Sequence, residues 1–385
     1  MSAEALSSDA TPATCVAMVG GGQLARMTHQ AAIDLGVELR VLAADASEPA
    51  VRAGAVHVRG AAANLDDLRR LADGAAVVTF DHERIPPEHL RALEREGVPL
   101  APGQGAKLMA QDKLHARVEL AHLGFPVPPF TDARTQADAE HFGAQHGWPL
   151  VGKAPRGGYD GRGVWTLEDP AAVAALLDQV DDGLVLEPRL AIERELAILV
   201  ARSTTGQRVA YPVVETVQRD AMCRELLVPA PVDAELAAQA RELALEIAQA
   251  IDAVGILAVE LFIVDGGLLI NELALRPHNS GHYTIEGSVT SQFEQHLRAV
   301  LGWPLGITDL TAPAVVTVNV VGTPAGGDPR ERVQRALSVP GARVHLYDKR
   351  PQPGRKLGHV TVRGGDIATA RAAARHAAAI LEGRA

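Results

Sequence analysis

Cysteine is nearly missing from this sequence: of 385 residues only Cys15 and Cys223 carry a thiol, far apart and without histidines at metal-ligand spacing. That argues against a disulfide framework or a zinc site, and a reducing cytoplasm is the expected compartment. Dense runs of lysine and arginine are missing too. With a formal charge of −10, the chain lacks the concentrated positive charge that displaces counterions from a phosphate backbone, so no nucleic-acid partner is expected. The longest apolar stretch, 256–273, is interrupted by Glu260, Asp265 and Glu272. A bilayer-spanning helix does not carry charge on those terms, so no membrane segment is expected. The first dozen residues, 1–12, have no basic start and no apolar core, and read as a disordered tail rather than a signal peptide. Lysine is the last scarcity, occurring only as Lys107, Lys113, Lys153, Lys349 and Lys356. Arginine supplies the remaining positive charge, so each lysine calls for a specific reason. A compact ammonium acting as a point charge on phosphate is one that a planar guanidinium does not reproduce.

What is present is apolar substance enough for real cores, 47% of the chain, and the length suggests roughly two or three domains. An apolar run from Cys15 leads into Gly20-Gly21-Gly22, a helical pattern through Leu35 and a second strand over 37–43; this is a βαβ start, and Val77-Val78-Thr79-Phe80 repeats the buried-strand signal. The first block, 13–110, is therefore expected to be parallel α/β. The second, 111–304, opens with one helix over 107–123. Pro126, Pro128 and Pro129 then make a rigid turn, and helices are expected over 136–146, 170–179 and 233–253. Strands over 184–187, 195–201 and 207–214 make this block α+β. The third, 305–385, combines a β-rich run at 314–321, a turn-rich basic segment and an alanine-rich helix over 367–381.

The most informative local geometry is a hairpin. The strand-like runs 255–264 and 268–273 are joined by Asp265-Gly266-Gly267, and a three-residue loop would use Gly267 at its positive-φ position. If Val264 faces Leu268, Glu260 falls opposite Glu272 on one face, while Asn271 points to the other. Two carboxylates so placed raise each other's pKa unless a cation sits between them. Mg²⁺ fits, since it takes one or two carboxylates plus substrate phosphates; two surface glutamates on a solvated hairpin are the plainer alternative.

A second glycine-rich segment, Arg156-Gly157-Gly158-Tyr159-Asp160-Gly161-Arg162-Gly163, lies between the strand-like runs 150–153 and 164–167. Glycines let backbone N–H groups approach phosphate oxygens, and Lys153 just before the loop can neutralise them. Strand-loop-strand is not the P-loop arrangement, and an ordinary flexible hairpin stays open. The first glycine run offers a rival from another class: Gly20-Gly21-Gly22-Gln23-Leu24-Ala25 satisfies the dinucleotide fingerprint, with Asp45 about twenty residues on, as in a nicotinamide-dependent dehydrogenase.

Three motif sets, taken together, resemble the N5-carboxyaminoimidazole ribonucleotide synthetase family. They are Gly157 to Gly163, Ile270-Asn271-Glu272-Leu273-Ala274 running into Arg276-Pro277-His278-Asn279-Ser280-Gly281-His282-Tyr283, and Tyr347-Asp348-Lys349 with Pro353-Gly354-Arg355-Lys356-Leu357-Gly358-His359. The resemblance implies a three-domain ATP-grasp fold: an N-terminal parallel α/β pre-ATP-grasp domain, an α+β ATP-grasp domain and a small β-rich C-terminal domain. It also implies ATP, bicarbonate and 5-aminoimidazole ribonucleotide as substrates, Mg²⁺, a homodimer and a place in de novo purine synthesis.

Carried over by residue, Lys113 and Lys153 would neutralise phosphates beneath a cover formed by Gly158, Tyr159, Asp160, Gly161, Arg162, Gly163 and Val164. Glu187, Pro188, Arg189 and Leu190 would hold adenine, Glu195 the ribose, with Gln218 and Asn271 also at the nucleotide; Glu260 and Glu272 would hold the metal. The ribonucleotide would meet Gln23, Asp81, His82, Glu83, Tyr159, Asp160, His278, Asn279 and Ser280, with Lys349, Arg355 and Lys356 on its phosphate. Asp160, Arg276 and Lys349 are the implied catalytic residues. Two departures stand out: Asp81 where many relatives carry glutamate, and Leu275 in place of a proline. A formate-using transformylase of the same superfamily is the nearer alternative, and His278-Asn279-Ser280 with the segment 347–359 favours the aminoimidazole enzyme.

Overall fold

A computed structural model of the chain describes residues 14–158, 162–324 and 326–385. The expected tail and Tyr159, Asp160 and Gly161 lie outside them.

The first block is the parallel sheet its sequence implies, ordered Val56–Arg59, Glu38–Ala43, Cys15–Val19, Val77–Phe80. Cys15–Val19 and Val77–Phe80 are buried along their whole length, as strands covered on both faces must be. The glycine run and Asp81 therefore emerge side by side at the carboxyl ends of adjacent strands.

The helix expected over 107–123 is two helices, Gln104–Gln111 and Lys113–His122. Asp112 breaks it: its backbone is extended, and its carboxylate accepts the His115 N–H at 3.0 Å as an N-cap and pairs with Arg156 at 2.9 Å. The break aims Lys113 off the start of the second helix. A small antiparallel sheet follows, ordered Thr131–Ala133, Leu184–Pro188, Leu150–Lys153, Val164–Leu167. Helices Gln136–His146 and Pro170–Leu177 supply the buried Phe142, Val173 and Leu176 to its core.

The remaining strands form one nine-stranded sheet. The strand expected over 207–214 is divided at Pro212, which has no N–H to give a ladder. Arg208–Ala210 and Val214–Arg219 pair separately with Arg194–Arg202, and Met222–Val228, which the sequence does not announce, returns beside the latter. That strand then pairs with Ala314–Val321, which pairs with Lys356–Gly364. The third block thus extends the sheet of the second, and the alanine-rich helix Ile367–Leu381 lays the small residues Ala370, Ala374 and Ala377 on it.

Candidate active site

The acidic hairpin consists of Gly255–Val264 and Gly267–Ala274. Its tip is tighter than the sequence suggests. Val264 pairs with Gly267, and the positive-φ residues are Asp265 and Gly266, at 49° and 72°, rather than Gly267. This two-residue turn shifts the ladder by one, so that Leu261 faces Ile270. An irregularity beside Asn271 then takes up one residue, and Glu260 faces Glu272 after all. The expected pairing is present, through a compensating bulge instead of a three-residue loop.

The bulge also overturns the expectation that Asn271 faces away. The Asn271 amide lies 3.4 Å from Glu260 Oε2, and its oxygen accepts from Lys153 Nζ at 3.2 Å. Its carbonyl accepts from Arg117 at 2.7 Å. Glu260, Asn271 and Glu272 therefore share one face.

Charge on this face is unevenly settled. Lys113 Nζ lies 2.6 Å from Glu272, and although burial pushes the Glu272 carboxyl upward, that ammonium outweighs it and holds its pKa below the ordinary value. Glu260 has His278 Nε2 3.7 Å away. Surrounding protein strips water from its carboxyl and Glu272 and Glu195 repel its charge, so its pKa is pushed up to about 8. An oxygen-lined position short of positive charge fits a hard divalent cation. Glu195 is likewise raised by burial, against a hydrogen bond from Gln218.

Lys153 reaches from the small sheet to the large one, pairing with Glu187 at 2.7 Å as well as with Asn271. Glu187, expected at the adenine, has its carboxylate committed to Lys153 and to Arg117, also at 2.7 Å; what the segment through Pro188, Arg189 and Leu190 still offers is backbone and the later side chains. Of the glycine-rich cover, Gly158 packs so closely under the Arg162 carbonyl that a β-carbon would come within 2.7 Å of it. Gly163, at φ +74°, accepts from the Ala154 N–H at 2.8 Å, closing the base of the loop beside the exposed Val164.

The second half of the site joins the first and third blocks. Asp81 Oδ2 accepts the Gly22 N–H at 2.8 Å, and a β-carbon on Gly20 would strike the same carboxylate. A dinucleotide pyrophosphate would need that space and that donor, so the fingerprint is filled from within, at the start of the helix that begins with Gln23. Glu83 lies between Lys107 and Arg276, the latter at 3.2 Å, and these two cations outweigh burial to keep it ionised. His82 is pushed toward its neutral form by burial. Across from them, Lys349 and Arg355 attract the charge of Glu48, which burial and Asp81 push upward. Lys349 also lies over the Tyr347 ring at 5.7 Å, and the charge of Lys356 reaches Glu260. His278 and Ser280 are bonded to each other at 2.9 Å at the single turn Asn279–Gly281, and the buried Asn279 amide nitrogen has no hydrogen-bond partner among the described residues.

Three family models cover most of the chain: a ribonucleotide synthetase preATP-grasp domain at 13–111, an ATP-grasp domain at 118–293 and a phosphoribosylaminoimidazole carboxylase C-terminal domain at 315–373. The N5-carboxyaminoimidazole ribonucleotide synthase of Mycobacterium tuberculosis is 49% identical over 380 residues, covering 94% of this chain and 88% of that one. The chain belongs to the N5-carboxyaminoimidazole ribonucleotide synthase family. Its fold is that of the family's solved members. The Thermus thermophilus synthetase matches with a TM-score of 0.85 at 37% identity, covering 96% of this chain and 98% of that one. The Aspergillus clavatus synthase, in complex with ADP and 5-aminoimidazole ribonucleotide, matches at 0.88 and 32%, covering 96% and 99%.

In this member of the synthase family, Lys113, Lys153, Glu260, Asn271 and Glu272 lie together, supported by residues that the sequence does not single out. Lys107, Lys113 and Lys153 each pair with a carboxylate, and Lys349 lies over the Tyr347 ring. Lys107 is the one given no role in advance: it is wholly buried, paired with Glu83 and 4.8 Å from the Phe80 ring centre. The scarcity of lysine was the signal that could have found it. Nothing in the sequence marks Arg117 or Glu48 among many arginines and glutamates.

Proposed function

We infer that this chain carboxylates 5-aminoimidazole ribonucleotide to its N5-carboxyamino form with ATP and bicarbonate, in purine synthesis. The observation that carries this reading is the convergence of Glu260, Glu272, Asn271, Lys113 and Lys153 from two sheets, in a chain of the synthase family. Its Aspergillus clavatus relative holds ADP and 5-aminoimidazole ribonucleotide.

Bicarbonate is a poor electrophile and must be activated. A bicarbonate oxygen attacks the γ-phosphorus of ATP and ADP departs, leaving carboxyphosphate. The exocyclic amine of the ribonucleotide then takes the carboxyl carbon, directly or as CO₂ released within the site, with loss of phosphate and a proton. Lys113 and Lys153 offset charge on the transferring phosphoryl group. Glu260 and Glu272 would hold a magnesium ion, which would supply further neutralisation there. Arg276, fixed by Glu83, and Lys349 face the bicarbonate-derived group, and Asp160 orients the amine. Water must be kept from the intermediate, which it would otherwise waste.

Adenine lies against Glu187 to Leu190 and the ribose against Glu195, with Gln218 behind it. Gln23, Asp81, His82 and His278 to Ser280 surround the aminoimidazole, and Lys349, Arg355 and Lys356 hold its phosphate, for which several donors are needed. The working form is a cytoplasmic homodimer.

Phosphate release from Mg²⁺-ATP tests the reading. It should require both bicarbonate and aminoimidazole ribonucleotide, and should vanish in the Glu272→Gln variant. Dependence on formate and glycinamide ribonucleotide instead would transfer the chain to the transformylase chemistry.

A further inference from the structure

Two histidines of the motif sets, His282 and His359, take no part in the chemistry above, yet both are buried to within 1% of full enclosure. Their rings lie 5.0 Å apart, and a third, His345, stacks on His359 at 4.6 Å and 16°. Tyr347 completes the pile, its ring 5.7 Å from His359 and 6.0 Å from His282, and the three are tied on two sides to segments of the proposed ribonucleotide site. On one side, Gln292 Nε2 donates to His282 Nδ1 at 3.3 Å. The same Gln292 side chain accepts the His278 N–H at 2.9 Å and donates to the His278 carbonyl at 2.8 Å, so His282 and the backbone of His278 share one clamp. On the other side, His359 Nδ1 and Tyr347 Oη share a 2.8 Å hydrogen bond, and Lys349 stands over the Tyr347 ring.

We propose that the pile of His282, His359 and Tyr347 is a positioning element for the ribonucleotide, setting the distance between His278–Ser280 and Lys349. This rests on the function proposed above. The physical need is plain: the two segments lie about seventy residues apart in sequence, and a ligand held at both ends is bound well only if their spacing is fixed before it arrives. Flat rings in contact resist compression, and hydrogen bonds at both ends prevent sliding. Burial holds His282 and His359 well below the ordinary histidine pKa. They are therefore neutral, and neutral rings can lie against one another without repulsion.

Tyr347→Phe and His359→Asn test this, with steady-state kinetics in each substrate and calorimetric ADP binding. Tyr347→Phe keeps the ring under Lys349 and removes only the hydroxyl. The expected result is a KM for aminoimidazole ribonucleotide raised roughly three- to tenfold, the size of one buried hydrogen bond, with KM for ATP and affinity for ADP unchanged within about twofold. A purely structural role would move both substrates together. That outcome, or an unchanged ribonucleotide KM in folded Tyr347→Phe, would overturn the proposal, and Tyr347→Phe decides alone should His359→Asn not fold. Unaltered enzyme without ribonucleotide-dependent turnover would sink the proposed function and this inference with it, whereas normal unaltered turnover with insensitive variants sinks the inference only.

Discussion

His296 shows how much one side chain can carry. It is wholly buried, and Gly255 leaves room for its ring, since a β-carbon there would come within 2.8 Å of it. Its Nδ1 accepts the Ile256 N–H at 3.1 Å, so the proton sits on Nε2, which then donates to Thr79 Oγ1 at 2.8 Å. One neutral imidazole thus joins the parallel sheet of the first block to the large sheet. Burial lowers its pKa from 6.5 to about 3. The unfolded chain binds that proton more readily, so the stabilisation is complete above about pH 6.5 and is lost as pH falls toward 3, on the order of 2 kcal/mol by pH 5. His282 and His359 act in the same direction. Glu260, raised to about 8, and Glu195 and Glu48, also raised by burial, act in the opposite one, while His29 and His82, lowered by burial, join the histidines, five groups against three. The urea midpoint should therefore fall between pH 7.5 and 5. In His296→Gln, whose amide can make both bonds without titrating, the fall should be visibly shallower; equal slopes would mean that His296 does not stay neutral in the folded protein.

At the scale of the element, the acidic hairpin separates what sequence can and cannot convey. Its two apolar strands and the facing glutamates are legible, because alternation and a turn signal suffice to set them out. The bulge is not legible, because it depends on partners far along the chain: Arg117 takes the Asn271 carbonyl, and the Pro126 carbonyl takes the Ile270 N–H at 2.8 Å. Asn271 accordingly turned up on the face from which simple alternation excludes it. The same limit explains the helix broken at Asp112, whose cap is reinforced by Arg156 from the glycine-rich loop. The two glycines at the tip make the register testable. Gly266 has φ +72°, whereas Gly267 is outside the left-handed region and its β-carbon would find only ordinary contact at 3.5 Å. Gly266→Ala should cost about 1 kcal/mol in urea denaturation and Gly267→Ala much less. The reverse order would restore the three-residue loop and remove the need for a bulge.

For the whole molecule, the question is whether the third block is a separate body. Sequence places a divide at 304/305, with a new β-rich run beyond it. Hydrogen bonding runs across that divide: Glu225 to Val228 pair in register with Val318 to Val315, and Leu226, Leu227 and Val228 are at most 3% exposed. Side chains reinforce the join. Glu225, itself buried, takes Arg371 at 2.6 Å and Arg375 at 2.7 Å from the C-terminal helix, while the buried Glu382 takes Arg224 at 2.9 Å and the Val321 N–H at 2.8 Å. A chain ended at residue 313 would uncover a flat apolar strand edge, the arrangement most prone to pair with other chains, and would leave Glu225 and Arg224 without their partners. It would also lose Lys349, Arg355 and Lys356 from the cleft. Such a truncation should be recovered as aggregate, with no ATP-protected melting transition in whatever remains soluble. A monodisperse truncated chain that binds ATP normally would instead show that the large sheet can be parted between Met222–Val228 and Ala314–Val321 without loss, and that the third block serves the ribonucleotide alone.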